Sequence, residues 1–375
     1  ARQMQMLFPE GYFITHAMYG FAWVNIGLRS AEPALRSRAM TEASWAEEQI
    51  DTPAGRAVFS PDTVPPFGAG YQGWTNWLRG GILLLQAEDD PALKDRFTNG
   101  CELIARAFER HSSPYVETYV GSAWPPDTVF AVAALSLHDK LYEPRYQRLI
   151  GEWLRDVRRL MVDGMIPHRV ALETGEQVVP TRGGSAAMMA RMLWEVDPEM
   201  AAEQYDVLRQ QFVDTHLGIM PGVREYRHGT SGPSDVDSGP IILGFSAAST
   251  VLGISAAYVN GDYRLADPML VGVHAVGIPL GFGDEQYYAF GKLAVGDAIL
   301  AWAKTTVPWV HPPAEPSNRY EPVVIGGFRF AWHALSLLLL GLLFGTELRS
   351  GLRRLFDSAA DDPSSDDQTG APEGS

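Results

Sequence analysis

A repeat of helical runs about 55 residues apart is the feature that most constrains the fold of this 375-residue chain. Apolar runs with helical periodicity begin near Tyr12, Tyr71, Pro126, Gly183, Ser238 and Tyr287. The successive offsets are 59, 55, 57, 55 and 49 residues. A tight break and a second helical run follow each of them, so every repeat predicts one helical hairpin.

Short and long connections alternate along the chain. The short breaks combine Pro with Asp, Asn or Glu and lie at residues 30–33, 89–91, 143–144, 197–198 and 260–262. Pro is tolerated in a first helical turn and Asp or Asn caps it, so these breaks predict helix starts. The long connections are rich in Gly and Pro and lie at residues 51–70, 112–125, 163–182, 217–237 and 278–286. Helices joined this way place all long loops at one end.

We therefore predict an all-α fold, an (α/α)6 toroid of about six helical hairpins over residues 1–307. The first helix of each hairpin is expected in the inner layer because it is richer in small and apolar residues, as in 241–248. The outer helices carry charge on one face, as in 146–156. One strand hairpin is predicted in a loop, at 168–172 and 177–179.

The last 68 residues have a different composition. Residues 308–322 are Pro-rich and predict a linker. Residues 323–348 are apolar, include four successive leucines, and precede Arg349, Arg353 and Arg354. This pattern favours a transmembrane helix with the toroid extracytoplasmic and the tail, 349–375, cytoplasmic and disordered. The alternative is a buried twelfth helix that closes the ring.

Composition excludes two kinds of site. The net charge is −15, but six acids lie in the last 19 residues, so the body is moderately acidic and no nucleic-acid partner is expected. Cys101 is the single cysteine, which excludes an internal disulfide and a cysteine zinc site. The first residue is Ala1 rather than Met, so we expect a trimmed or processed sequence.

Four carboxylates are the candidate catalytic residues. Asp127 follows Trp124-Pro125-Pro126 at a helix start, where it can act as a general acid or base or simply complement the helix dipole. Asp235 and Asp237 lie two residues apart before a predicted inner helix, so one can cap the helix while the other faces the mouth. Glu285 is held in reserve together with Glu225.

The candidate substrate-binding residues are mostly aromatic and lie where inner helices meet the long loops. They are Tyr71, Trp74, Asn76, Trp77, Trp124, Arg182, Tyr226, His228 and Tyr287. Aromatic rings there can stack on sugars or wall a prenyl chain, although aromatics on inner helices are also ordinary core residues. No metal triad, phosphate loop or nucleophile elbow is evident, so neither a metal nor a cofactor is expected.

Four stretches resemble linalool dehydratase/isomerase, a terpenoid-processing enzyme family with an (α/α)6 barrel. They are residues 12–36, the Tyr-Gln-Gly-Trp-Thr-Asn-Trp run at 71–77, residues 127–162, and the Gly-Thr-Ser-Gly-Pro-Ser-Asp-Val-Asp-Ser-Gly run at 229–239 ahead of Gly261-Asp262. The resemblance covers residues 12–306 and implies the barrel fold.

The chemistry that the resemblance implies is altered at several positions. The family has an active-site His after a Tyr-x-Gly element, and this chain has Trp74 there. The family has two cysteines that flank the third inner helix; residues 120–127 contain none, and Asp127 takes the place of one of them. The family's acidic and tyrosine residues would lie before Ala1 or be missing. The resemblance therefore implies the fold rather than the same reaction.

The leading functional prediction is a membrane-tethered, extracytoplasmic enzyme with carboxylate acid–base chemistry in an aromatic cleft, namely a glycan-active hydrolase with Asp127 and Asp237 as its pair. The first alternative is a hydro-lyase or isomerase of a terpenoid or other alkenol, with Asp127 in place of the lost thiol. The second is a non-catalytic, membrane-attached binding domain. The oligomeric state is left open. The shape of the toroid mouth distinguishes the three. An open polar groove favours a glycan substrate, a closed apolar pocket favours an alkenol, and a plugged lumen favours the binding domain.

Overall fold

The computed structural model describes residues 1–86, 90–216, 220–277, 279–282, 285–288, 291–316, 320, 334–339 and 341. The chain divides into two compact units, Ala1–Gly326 and Gly327–Ser375. The described residues are mostly helical, which confirms the all-α class.

In the part of the first unit that the structure describes, there are thirteen helices and four small two-stranded sheets. The helices are α1 (Arg2–Leu7), α2 (Gly11–Arg29), α3 (Pro33–Ile50), α4 (Pro53–Arg56), α5 (Gly68–Leu85), α6 (Pro91–Arg110), α7 (Pro125–Leu141), α8 (Gln147–Leu160), α9 (Gly183–Leu193), α10 (Pro198–Gln211), α11 (Ala247–Val259), α12 (Tyr263–Gly277) and α13 (Ala294–Thr305). The antiparallel strand pairs are β1 (Arg169–Val170) with β2 (Gln177–Val179), β3 (Val213–His216) with β4 (Met220–Val223), β5 (Ile241–Ile242) with β6 (Phe245–Ser246), and β7 (Leu280–Phe282) with β8 (Glu285–Tyr287).

Successive helices pack as hairpins: α2 on α3, α5 on α6, α7 on α8, α9 on α10 and α11 on α12. The Asp-Pro breaks start helices as predicted. The Asp90 carboxylate accepts the Leu93 N–H at 3.0 Å, and the Asp197 carboxylate accepts the Met200 N–H at 2.7 Å. Each cap satisfies a backbone donor that the first helical turn leaves unpaired.

The first helices of these five hairpins and α13 contact one another in a closed cycle, in which α2, α5, α7, α9, α11 and α13 follow in order and α13 returns to α2. These helices carry much of the core. In α7, every residue from Thr128 to His138 is buried, whereas α8 buries only Trp153 and Val157. The amphipathic helices therefore lie outside the nearly all-apolar ones.

Two predicted inner helices begin later than their sequences indicated. The helix predicted from Ser238 begins at Ala247 instead, because residues 241–246 form the β5–β6 hairpin. That hairpin turns at Leu243 and Gly244, whose φ angles are 52° and 90°. The Ser246 hydroxyl then caps α11. The run predicted from Tyr287 starts at Ala294, since Tyr287 ends β8. The β1–β2 pair lies where one loop hairpin was predicted, and the other three pairs were not predicted.

The beginning of the Pro-rich segment is packed into the first unit instead of forming a free linker. Trp309 is 2% exposed and stacks on Trp77, with ring centroids 4.4 Å apart. Its indole N–H donates to Asn25 at 2.7 Å, and its backbone N–H donates to Glu195 at 2.9 Å. A buried Trp is favoured when its ring packs against apolar surface and its N–H has a hydrogen-bond acceptor, and Trp309 has both.

Among the described residues, no helix is long and apolar enough to cross a membrane. The segment predicted to do so, 323–348, falls mostly outside them, and only residues 334–339 and 341 are described as helical. The tail at 349–375 also lies outside the described residues. Both assignments stay predictions.

Candidate active site

Asp127 lies in the first turn of α7 and points at α5 rather than back at its own helix end. The N-cap position is Trp124, Pro125 starts the helix, and no side chain caps it. The carboxylate instead accepts the indole N–H of Trp74, with Nε1 3.1 Å from Oδ1. The alternative role, a mere complement to the helix dipole, would not require this partner from another helix.

Close packing of α5 on α7 brings Asp127 to this position. A Cβ added at Gly70 would lie 3.3 Å from the Asp127 carboxyl carbon, and one at Gly73 would lie 2.7 Å from the Ala131 backbone nitrogen. Side chains at these glycines would separate the two helices. One turn further along α5, the Trp74 ring stacks on Phe130 with centroids 4.4 Å apart.

Burial in this aromatic environment changes the acidity of Asp127. Desolvation is the largest cause and raises its pKa to about 7, the hydrogen bond from Trp74 opposes this, and the charges of Asp237 and Glu10 add to the rise. A carboxyl of this pKa is present in both protonation states near neutral pH. It can therefore donate or accept a proton under ordinary conditions.

Tyr119 and Glu10 form a second part of the site. Tyr119 lies in the loop before α7, and its hydroxyl donates to the carboxylate of Glu10, which is the N-cap residue of α2. Desolvation first, and then the charge of Asp127, raise the pKa of Tyr119 above its usual range. The phenol is therefore neutral, and its proton is directed at Glu10.

Asp237 completes what we call the acid cluster, which consists of Glu10, Tyr119, Asp127 and Asp237. Its side chain is exposed in the loop before β5. Surrounding protein still removes part of its hydration, which raises its pKa; the charge of Glu10 raises it further and Arg182 lowers it. The charge of Asp237 in turn raises the pKa of Asp127, so Asp127 lies within the field of Asp237.

Arg182 organises the polar side of the site. It precedes α9 and pairs with Asp235, while its Nη1 lies 4.0 Å from Glu225. Glu225 accepts the hydroxyl proton of Ser249 at 2.6 Å. Asp235 also accepts the N–H of Ser238 at 2.9 Å, so its carboxylate serves an ion pair and a turn. We refer to Arg182, Asp235, Glu225 and Ser249 as the Arg182 network.

Several predicted residues lie beside these two groups. The Tyr119 and Trp124 rings meet edge to face with centroids 5.1 Å apart. The Tyr226 ring lies 5.6 Å from the Arg182 guanidinium, and its hydroxyl donates to the Pro233 carbonyl at 2.7 Å. The structure thus places Trp74, Trp124 and Asp127 at the acid cluster and Arg182, Tyr226 and Asp235 in and beside the Arg182 network. Asp237 lies within electrostatic range of both Asp127 and Arg182.

Other predicted residues lie elsewhere. Asn76 and Trp77 belong to the core: the Asn76 amide donates to the Phe97 carbonyl at 3.0 Å, and Trp77 is 1% exposed against Trp309. Tyr71 is buried on the flank of α5, where its hydroxyl donates to Asp51 at 2.8 Å.

The remaining predicted residues are in loops. His228 is exposed, and its backbone N–H donates to the Gln211 carbonyl at 2.9 Å. Tyr287 is 37% exposed in β8. Glu285 begins β8, and its side chain lies outside the described part of the structure.

His168 is a neutral residue near the Arg182 network. Desolvation first, and then the charges of Arg182 and Arg169, lower its pKa to about 4. Its Nδ1 is buried and has no hydrogen-bond partner among the described residues. An imidazole of this kind is a weak base at neutral pH.

The sequence prediction missed Glu10. The residue stands immediately before the first inner helix, in the run Phe8-Pro9-Glu10-Gly11, as Asp127 stands at the start of the third. Applying the same rule to the first inner helix would have identified it.

Among the described residues, no group of three or more His, Cys, Asp or Glu side chains is arranged to hold a metal ion.

No protein family model matches the chain, and no curated protein matches its sequence. The function is therefore argued from the site itself.

Proposed function

We propose that the first unit is an (α/α)6 toroid whose mouth is the loop end that carries the acid cluster. The closed cycle of contacts through α2, α5, α7, α9, α11 and α13 supports this architecture. Its inner helices would present their N-terminal turns to the mouth, as Glu10 before α2 and Asp127 in α7 indicate.

The proposed activity is acid–base catalysis on a hydroxyl-bearing substrate with an apolar body, leading to loss or migration of the hydroxyl of an alkenol. The observation that carries the proposal is Asp127, a carboxyl with a pKa of about 7 that is held by Trp74 among aromatic rings. Such a group is the general acid that a poor leaving group such as hydroxyl requires.

In the proposed reaction, neutral Asp127 gives its proton to the substrate hydroxyl and the C–O bond breaks, which releases water. The electron pair of that bond leaves with the water and an allylic cation remains. The partly exposed rings of Tyr119 and Trp124 lie beside the acid and can stabilise this cation by cation–π attraction. Asp237 as a carboxylate removes a proton from the neighbouring carbon, whose C–H electrons form the new C=C bond. To close the cycle, the exposed Asp237 releases the proton that it took from carbon to solvent, and Asp127 takes up one proton from solvent, so both carboxyls regain their starting states.

Apolar side chains around the acid cluster favour an alkenol over a sugar. Val120 follows Tyr119 and is 68% exposed, and Val236 precedes Asp237 and is 57% exposed. Each hydroxyl of a glycan needs a polar partner on binding, whereas an apolar body gains from such a rim.

Glycan hydrolysis is the second candidate, and one observation favours it. The charge of Asp237 helps to raise the pKa of Asp127, as one carboxylate does for the acid in two-carboxylate hydrolases. In that case Asp127 would protonate the glycosidic oxygen, and Asp237 would activate water or attack the sugar.

The experiment compares two substrates on the same protein. Linalool, the alkenol named in the resembling family, is incubated with the protein and the diene or isomer is detected by gas chromatography with mass spectrometry; a polysaccharide panel is assayed for released reducing sugar. We expect the hydrocarbon product, and Asp127→Asn to lower its rate by at least about 100-fold, the usual contribution of a general acid.

Asp197→Asn is the matched control, because Asp197 is also a helix-start aspartate and Asn keeps its cap to Met200. Its rate should equal that of the parent. Reducing sugar without hydrocarbon would replace the first candidate by the second. If neither product is formed, both candidate activities are refuted and the non-catalytic binding domain is favoured.

A further inference from the structure

A surface cleft on the flank of the helices carries an excess of arginines. Its volume is about 280 Å³, and its lining includes Asp51, Arg56, Phe67, Arg79, Arg96 and Leu103, contributed by α4, α5, α6 and the loops beside α4. We call it the flank cleft. None of these six residues belongs to the acid cluster or to the Arg182 network.

The carboxylates at the flank cleft do not balance its guanidinium groups. Asp51 pairs with Arg56, and it lies 3.9 Å from Arg79 Nη2. Glu47, behind the lining, pairs with Arg79 at 2.6 Å and lies 3.7 Å from Arg96. Three arginines against these two carboxylates leave one positive charge.

The arginines differ in how firmly the protein holds them. Arg79 is the fixed base of the cleft, since its side chain is only 10% exposed and it pairs with both carboxylates. The Arg56 and Arg96 side chains are 37% and 46% exposed, and Arg96 has the longer of the two contacts to Glu47. Arg56 already donates its Nε–H to the Tyr71 hydroxyl at 3.0 Å and its Nη2–H to Asp51, so its Nη1 and the more exposed guanidinium of Arg96 are the donors accessible to a ligand in the cleft.

We propose that the flank cleft binds a small organic anion with a carboxylate or phosphate head group between Arg56 and Arg96. The planar guanidinium of an arginine such as Arg96 matches either head group, because a carboxylate and a phosphate can each place two oxygens in the guanidinium plane. The hydrocarbon part of the ligand lies on Phe67 and on Leu103, which is 38% exposed. The assignment is independent of the reaction proposed for the acid cluster.

Isothermal titration calorimetry on the full chain tests the assignment, with hexanoate and inorganic phosphate as the anions and hexylamine as the cationic control. We expect saturable one-site binding of at least one anion and none of hexylamine. Arg96→Gln should weaken that binding about tenfold, the loss typical of one exposed charge-assisted contact.

Arg106→Gln is the matched control, since Arg106 lies on the same helix, is 66% exposed and contacts Glu102 one turn earlier. It should bind the anion as the parent does, and both variants should keep the parent's thermal unfolding midpoint. The proposal is overturned if neither anion binds saturably. Equal weakening by both substitutions, or none by Arg96→Gln, would overturn it as well.

Discussion

Replacing Asp127 by Asn should make the folded protein more stable while removing its activity. The change keeps the size of the side chain and an oxygen that can accept the Trp74 N–H. It removes a carboxyl whose ionised form the folded protein disfavours, because burial raises its pKa to about 7. A group that served only to cap or to complement the helix would show the opposite effect on stability.

The magnitude follows from the change in pKa on folding. In the unfolded chain the carboxyl has its ordinary pKa of 3.8, and in the folded protein about 7. The folded state binds this proton more tightly, so the parent loses stability as the pH rises between these two values and loses no more above 7. At about 1.4 kcal/mol per pKa unit the full cost is about 4 kcal/mol.

Chemical unfolding of the parent and of Asp127→Asn at pH 5, 6, 7 and 8 measures this cost. The advantage of the variant in free energy of unfolding should grow with pH up to about 7 and then level off, reaching between about 1 and 4 kcal/mol. A variant that is less stable than the parent by the same amount at every pH would show that Asp127 is a structural residue and not a carboxyl with a raised pKa.

Three further predictions concern the site and the core. The rate of the proposed reaction, measured from pH 5 to 9, should fall as the pH rises through about 7, because Asp127 loses its acid form there. A rate that does not decline near pH 7 would contradict the role of Asp127 as general acid. Tyr119→Leu removes the ring that stabilises the cation in the proposed reaction and should lower the rate about tenfold, whereas Tyr119→Phe keeps the ring and should change the rate little. An unchanged rate in Tyr119→Leu would exclude the Tyr119 ring from the reaction. Trp309→Ala should cost about 3–5 kcal/mol of stability by chemical unfolding, since it empties a buried ring position against Trp77; a loss below about 1 kcal/mol would place Trp309 outside the core.

The hairpin pattern was predictable because strong local signals mark it. Pro33, Pro91 and Pro198 each start a helix, as their preference for a first helical turn requires. The β5–β6 hairpin was not predictable, because strands of two residues have no periodicity, and Ile241 and Ile242 resemble the apolar helix that follows.

The candidate site was predictable in part. Asp127 and Asp237 were found from their position at the predicted starts of inner helices, although the helix after Asp237 begins only at Ala247. Their coupling to Glu10 and Tyr119 depends on how loops distant in sequence meet, and no local pattern encodes it. Asn76 and Trp77 were included for their residue types, but the face of α5 on which a side chain lies decides whether it meets the site or the core.

The acidity of Asp127 in the folded protein is the most direct test of the account. Infrared difference spectra of the parent minus Asp127→Asn, recorded from pH 4 to 9, isolate the absorption of this one protonated carboxyl. The band should persist above pH 6 and disappear with a midpoint near pH 7. A midpoint near pH 4 would show an ordinary ionised aspartate, and the proposed general acid would be excluded.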